Sequence, residues 1–206
     1  MINVISAQGL CCDAAQIETF HASQALPTSF LGGCPTCLQN FQHLWCQSTC
    51  SPVQSKFLEV LETEGGVSDG GGTSVEGGTT ADGRGSNGYI TRIRYYVSQR
   101  FAEDLFNSCR KVRMGLSPAL GMMCGAKDAT TCTPRDWLIY LGDNSFVPFI
   151  TEFSIGQNST QPVVGSQSDF EPMNDPVISC DTGVLGHPGC KCSDCDAACR
   201  DENGTR

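Results

Sequence analysis

Apolar residues recur at helical spacing between Cys34 and Cys50, in the stretch "CPTCLQNFQHLWCQSTC". Pro35 suits the first turn of a helix because its missing N–H has no partner there in any case. The positions that follow the i, i+3, i+4, i+7 pattern are Cys34, Cys37, Leu38, Phe41, Leu44 and Trp45. The pattern predicts one amphipathic helix carrying cysteines at positions 34, 37, 46 and 50.

Two further helix starts flank this segment. Asp13 can cap a helix through "DAAQIETFHASQAL", in which Ile17 and Phe20 share a face. We expect Pro27 to end this helix. After Cys50, the stretch "SPVQSKFLEVL" opens with a Ser51 cap and Pro52, the usual signals of another helix. Gln16 lies at the border of the apolar face, one turn before Phe20.

The second half of the chain mixes strand and helix signals. "YITRIRYYVSQRFAEDLFNSCRKV" begins like a strand and continues as a helix whose inward residues are Phe101, Leu105, Cys109 and Val112. "TPRDWLIYLG" predicts a compact helix with a Thr133 cap and an end at Gly142. "VPFITEFSI" predicts a strand.

Two segments show no such periodicity. The glycine-rich stretch at about 64–88 lacks the Gly-Lys-Ser/Thr of a phosphate loop and predicts a flexible surface loop. The tail at about 180–199 is rich in turns and holds five cysteines. Two sequons, at Asn158 and Asn203, are candidate glycan acceptors.

Composition narrows the class of protein. The chain has 206 residues and 14 cysteines, a number that favours an oxidising compartment and a disulfide framework. Its net charge of −9 gives no basic surplus for nucleic acid. No apolar run has the length of a membrane span, and the first residues do not resemble a secretory signal. A cysteine-rich protein of this kind is normally exported and is made with a signal sequence. Because none is recognisable here, we expect the N-terminus to be truncated.

The cysteines allow three kinds of chemistry. "CPTC" resembles the active dithiol of glutaredoxin-like enzymes, but the stretch before it does not have the pattern of a buried parallel strand. "CPTC" with "CKCSDC" could supply four zinc ligands, although Cys46 and Cys50 lie on the same predicted helix as the first pair. Disulfides that staple separate segments are favoured over a redox site or a metal site. No Ser-His-Asp order stands out, so we expect a binding protein rather than an enzyme, without a cofactor.

Several words together resemble the N-terminal lumenal domain of the Niemann-Pick type C sterol transporters: "LCCDAAQIETF", "YYVSQRFAEDLFNSCR", "ALGMMCG", "DWLIYLG" and "EPMN" ahead of "CKCSDCDAAC". The resemblance runs from about Leu10 to Cys199 and implies a single domain over residues 1–206. It implies a mostly helical, disulfide-rich α+β fold with a small mixed sheet. It also implies a deep apolar pocket for one sterol, hydroxyl end innermost.

The resemblance implies partners and a location as well. The domain would receive its sterol from a small soluble Niemann-Pick type C carrier in the lysosomal or vacuolar lumen. It would then pass the sterol to the membrane portion of a full-length transporter. Whether the sterol is cholesterol or ergosterol is left open. The competing interpretation is a vitamin-binding module related to folate or riboflavin receptors, which hold flat rings between several Trp and Tyr residues, whereas this chain has only Trp45 and Trp137.

By the same resemblance, twelve cysteines should pair as Cys12–Cys50, Cys34–Cys190, Cys37–Cys109, Cys124–Cys132, Cys180–Cys195 and Cys192–Cys199. Cys11 and Cys46 remain, and they would stay free, pair with each other or link two molecules. In the family, a cysteine-rich segment precedes the position of Leu10. We therefore expect this chain alone to be poorly stable and to bind sterol weakly.

The resemblance also implies roles for site residues. Gln16 corresponds to the amide that hydrogen-bonds the sterol hydroxyl, and Met122 and Met123 correspond to apolar residues of the pocket mouth that serve transfer. Thioethers are adaptable side chains that suit such a mouth. The positions at or near the pocket wall are Phe20, Leu38, Phe41, Trp45, Phe101, Leu105, Pro148 and Phe149. For each of these wall residues, ordinary core packing remains an alternative.

Overall fold

A computed structural model describes residues 11–64, 88–144, 147, 149–156 and 170–199. Its α-helices, in chain order, are α1 (Ala14–Ser23), α2 (Ala25–Leu31), α3 (Pro35–Cys50), α4 (Gln99–Cys109) and α5 (Pro134–Gly142). Its strands are β1 (Leu58–Glu64), β2 (Tyr89–Ser98), β3 (Arg113–Met114), β4 (Ser117–Pro118) and β5 (Ile150–Gly156). No helix of this described part is long and apolar enough to cross a membrane.

The principal sheet has the strand order β1-β2-β5. β1 pairs with β2 in antiparallel fashion, and β2 pairs with β5 in parallel, so the sheet is small and mixed. β3 and β4 form a separate antiparallel hairpin. Helices beside a small mixed sheet confirm the α+β fold that the resemblance implies.

Helix signals near the chain start and near α5 act as expected. Asp13 and Thr133 each form a capping box, and Pro134 occupies the first turn of α5. α5 ends at Gly142, which packs directly on β5: a β-carbon there would lie 1.9 Å from the carbonyl oxygen of Thr151. Only glycine fits this contact between helix end and sheet.

Two sequence predictions of helices are wrong. Pro27 does not end the first helix; the chain forms two helices, and Pro27 lies in the first turn of α2, where the missing N–H is tolerated. The stretch after Ser51 does not continue as a helix either. It makes one 3-10 turn at Gln54–Lys56 and then enters β1, since pairing with β2 overrides the local signals.

The core lies between α3, α4, α5 and the sheet. α4 buries Phe101, Leu105 and Cys109 as predicted, and Val112 is buried as well but lies after the end of the helix. α3 packs against α4, and α5 packs against both α4 and β5. β2 is the central strand, and residues 95–98 are buried there, which places its C-terminal half inside the molecule.

Six disulfides connect the helices to distant segments. They join the six pairs implied by the resemblance: Cys12–Cys50, Cys34–Cys190, Cys37–Cys109, Cys124–Cys132, Cys180–Cys195 and Cys192–Cys199. α3 takes part in two of them, through Cys37 and Cys50, and its N-cap residue Cys34 takes part in a third. Each bridge that closes a loop of tens of residues contributes about 3 to 4 kcal/mol in the chain-entropy model. Cys11 and Cys46 are free thiols.

Candidate functional site

An aromatic cluster lies where α3, α5 and β5 meet. The ring centroid of Phe41 is 6.4 Å from that of Trp45 and 6.2 Å from that of Trp137. Trp45 in turn lies edge-on to Phe153 at 6.0 Å. Phe41 and Trp137 are buried, whereas Trp45 and Phe153 are half-buried at the margin of the core. The cluster therefore offers apolar surface both to the core and to its edge.

α3 and α4 supply the other predicted wall residues nearby. Leu38 lies two turns before Trp45 on α3 and is half-buried against the same core. Phe101 and Leu105 are fully buried on α4, which packs on α3. Leu38, Phe41, Trp45, Phe101 and Leu105 thus belong to one apolar body.

The remaining predicted wall residues lie apart from this body. Phe20 and Phe149 are half-buried, and within the described residues neither belongs to the core or to the side chains packed on it. The ring of Phe20 instead contacts its neighbour His21 edge-on, at 6.2 Å. Pro148 lies outside the described residues, as do both candidate glycan sites, Asn158 and Asn203, and residues 65–87 of the predicted glycine-rich loop.

Gln16 lies on the first turn of α1 and is exposed. Its Oε1 accepts a hydrogen bond from the backbone N–H of Asp13 at 2.9 Å, and its own N–H donates to Asp13 Oδ1 at 2.8 Å. An amide oxygen has a second lone pair and the amide nitrogen has two N–H donors, so this capping box leaves Gln16 able to bind a hydroxyl. α1 packs against α3, and the Cys12–Cys50 disulfide joins the segment before α1 to the end of α3.

Met122 and Met123 differ in their surroundings. Met122 ends a 3-10 turn and is 39% exposed, whereas Met123 is 5% exposed and belongs to the core. Both precede the small loop closed by Cys124–Cys132. Within that loop, a β-carbon on Gly125 would touch the ring of Tyr140, so the loop lies against α5.

The sheet supplies wall candidates that sequence reasoning missed. Phe153 stacks on Tyr95 at 5.5 Å, and Tyr95 stacks on Phe57 at 5.6 Å, which extends the aromatic cluster across β5 and β2. Phe153 and Ile155 alternate along β5 and are half-buried. The alternating apolar residues of this segment could have indicated one buried face of a strand. Which helix packs on that face depends on the order of the strands in the sheet, which the sequence does not show. The sequence predicts a helix that contains Trp137, but it gives no indication that this side chain belongs to the site.

Among the described residues, the aromatic side chains that form the cluster carry no formal charge. Burial raises the pKa of Tyr95 well above its ordinary value, so the phenol stays neutral and donates to the carbonyl oxygen of Leu44 at 3.1 Å. Burial also raises the pKa of the free Cys46 thiol. Two buried polar atoms near the cluster, Trp137 Nε1 and Thr151 Oγ1, have no hydrogen-bond partner among the described residues.

Charge is concentrated on the opposite face of the sheet. Side chains alternate along β2, so Arg92, Arg94 and Tyr96 face away from Tyr95. Arg94 bridges Glu59 at 3.0 Å and Glu152 at 3.2 Å, and Arg92 bridges Glu152 and Glu62. The sheet therefore separates an ion-pair network from the aromatic cluster, and the cluster suits an apolar ligand rather than a charged one.

Comparison with known proteins decides the family. The family model described as Niemann-Pick C1 N terminus matches residues 2–205. The chain belongs to this family. It is 36% identical over 196 residues to NPC intracellular cholesterol transporter 1 of Sus scrofa, and the match covers 92% of this chain.

Other relatives give the same picture. The chain is 32% identical to NPC intracellular cholesterol transporter 1 homolog 1 of Caenorhabditis elegans and 30% identical to NPC1-like intracellular cholesterol transporter 1 of Homo sapiens. These matches cover 91% and 92% of this chain. The matched part is 14% of the pig protein and 13% of the other two, so the chain spans a small fraction of its relatives' length.

Proposed function

We propose that this chain binds a single sterol beside the aromatic cluster, as a step in intracellular sterol transport. The observation that carries the proposal is the convergence of apolar side chains from α3, α4 and β5 in a chain that matches the Niemann-Pick C1 N terminus family almost throughout. Trp45 and Phe153 border the ligand space, and the amide of Gln16, exposed on the first turn of α1, receives the sterol hydroxyl. The reaction is binding and release, not catalysis.

The energetics assign different tasks to the wall and to the amide. A sterol that buries several hundred square ångströms of apolar surface gains on the order of 10 kcal/mol at about 25 cal/mol per Å². A hydrogen bond to the hydroxyl contributes about 1 kcal/mol net, whereas leaving that hydroxyl buried and unpaired costs about 1 to 3 kcal/mol. The wall therefore determines affinity, and Gln16 determines orientation and the choice of head group.

Transfer requires partners on either side of the binding step. We infer that a small soluble sterol carrier meets the domain at Met122 and Met123, because an exposed thioether beside a buried one offers an adaptable apolar contact. The sterol then passes to the membrane portion of a longer transporter. The setting is the lysosomal or vacuolar lumen, which agrees with the six disulfides.

A sterol titration of matched aromatic variants tests the proposal. Trp45→Ala should weaken binding at least tenfold, since the indole would cover part of the sterol. Phe170→Ala is the control: Phe170 is also a half-buried aromatic residue, but it stacks at 4.6 Å on Tyr96, on the other face of the sheet. One sterol per chain and a loss confined to Trp45→Ala are expected. Equal losses in both variants, or no saturable binding by the unchanged chain, would contradict the proposal.

A further inference from the structure

Two tight β-hairpins carry a leucine at the tip. In the first, Met114 pairs with Ser117, so Gly115 and Leu116 form the turn. In the second, residues 184 and 187 pair, and Leu185 and Gly186 form the turn. Leu116 is 92% exposed and Leu185 is 61% exposed. Both turns therefore present a bulky apolar side chain to solvent.

The second turn is a poor place for leucine. Leu185 has φ of 51°, in the left-handed region where glycine, asparagine and aspartate are preferred. A leucine there strains the backbone and is not buried in return. An observed outlier of this kind indicates a role other than folding.

The bases of the two hairpins lie at the same end of α3. A β-carbon on Gly33 would lie 3.2 Å from the carbonyl oxygen of Arg113, and the Thr36 hydroxyl donates to the carbonyl oxygen of Thr182 at 2.6 Å. Gly33 precedes α3 and Thr36 lies in its first turn, so these two anchors are three residues apart, or at most about 11 Å. Each tip leucine lies three residues beyond its anchor, a reach of about 10 Å. With the two contacts included, the tips are thus within about 40 Å of each other, which one flat lipid surface can span.

Basic side chains surround the first hairpin. The stretch 110–118, "RKVRMGLSP", contains Arg110, Lys111 and Arg113 and no carboxylate, in a chain whose net charge is −9. Arg110 and Lys111 share a single carboxylate, Asp196. Arg113 is exposed, and its backbone N–H donates to a second carboxylate, Asp194, at 3.0 Å. Three cations beside two carboxylates leave a small local positive excess.

We propose that these two hairpins form a docking surface for an anionic lipid membrane. The tip leucines would enter the interfacial layer while the basic side chains contact lipid phosphates. The shape favours a membrane over a folded protein. Two separate small protrusions insert into a fluid interface, whereas against a rigid partner they would leave gaps and fall short of the roughly 800 Å² per partner of a stable complex.

Vesicle flotation tests the docking surface. Vesicles of phosphatidylcholine alone are compared with vesicles of phosphatidylcholine and phosphatidylserine at three to one. We expect binding to the mixed vesicles, weakened about 100-fold in the double variant Leu116→Asn, Leu185→Asn, because a partly inserted leucine contributes about tenfold. The matched control is Val60→Asn, Ile139→Asn: these side chains are 54% and 55% exposed and lie away from the hairpins. Both variants keep the net charge unchanged, and the control should bind like the unchanged chain.

The design separates docking from folding and from sterol binding. Asparagine suits the backbone at position 185, so the leucine variant should melt no lower than the unchanged chain, and its sterol affinity should be unaltered. Equal flotation of the leucine variant and the unchanged chain would overturn the proposal. So would an equal loss in the control variant, absence of binding to either vesicle, or equal binding to neutral and anionic vesicles.

Discussion

Replacing Gln16 with alanine separates two tasks of one side chain. The first task is structural, since Gln16 and Asp13 complete the capping box of α1. Loss of a cap costs about 0.5 to 2 kcal/mol. Here the loss acts on a helix without buried residues whose entry is held by the Cys12–Cys50 disulfide, so the melting temperature of the whole chain should change little.

The second task is the proposed contact with the sterol hydroxyl. A net hydrogen bond is worth about 0.5 to 1.5 kcal/mol, and an unpaired buried hydroxyl costs about 1 to 3 kcal/mol. Since about 1.4 kcal/mol is a factor of ten, Gln16→Ala should weaken binding of a 3β-hydroxy sterol about tenfold. Binding of the corresponding 3-deoxy sterol, which can neither donate nor accept a hydrogen bond there, should change much less.

Equilibrium binding of radiolabelled sterol measures this effect, and Asp13→Ala provides the matched control. That variant removes the other hydrogen bond of the capping box, from the Gln16 backbone N–H to Asp13 Oδ1, but leaves the side-chain amide of Gln16 in place. We expect Asp13→Ala to bind the hydroxy sterol nearly as tightly as the unchanged chain. If Gln16→Ala and Asp13→Ala have equal affinities, or if the 3-deoxy sterol loses as much as the alcohol, the role assigned to Gln16 is wrong.

Three further predictions concern the mouth, one carboxylate and the free thiols. Replacing Met122 and Met123 with alanine should slow sterol exchange with a soluble carrier more than it lowers equilibrium affinity; an unchanged exchange rate would refute the mouth assignment. Hydrogen bonds from the threonines that follow Asp128 lower its pKa from 3.8 to about 2. The contribution of the Asp128 carboxylate to stability is therefore complete above pH 3.8 and is lost as the pH falls through 2. The difference in melting temperature between the unchanged chain and Asp128→Ala should shrink over that window. A constant difference would count against this role of Asp128. Thiol titration should find two reactive groups, with exposed Cys11 faster than half-buried Cys46, whose pKa is raised by burial; equal rates would argue against this arrangement.

Local signals predicted the elements that need no distant partner. α5 follows its sequence cues at both ends, from the Thr133 cap to Gly142, and the apolar spacing of α3 predicts its length. β1 was missed because a strand is stabilised by its neighbour, and β2 begins 25 residues after β1 ends, beyond the glycine-rich stretch.

Spacing alone predicts contacts within one helix. It places Phe41 and Trp45 on one face of α3, and their rings are in contact, whereas their assignment to a pocket wall comes from the resemblance and stays a prediction. Phe153 and Trp137 join the same cluster from β5 and α5, and no local pattern indicates that these segments meet α3. The sheet order and the parallel pairing of β2 with β5 bring them there.

Native mass spectrometry of the chain, purified from a sterol-containing host, tests the central claim most directly. The account predicts a folded species carrying one added mass that equals a single sterol, and that mass also distinguishes cholesterol from ergosterol. Trp45→Ala should reduce the occupied fraction, and Phe170→Ala should not. A folded chain that carries no added mass even after incubation with excess sterol, or one that carries a ligand of another class, would contradict the account.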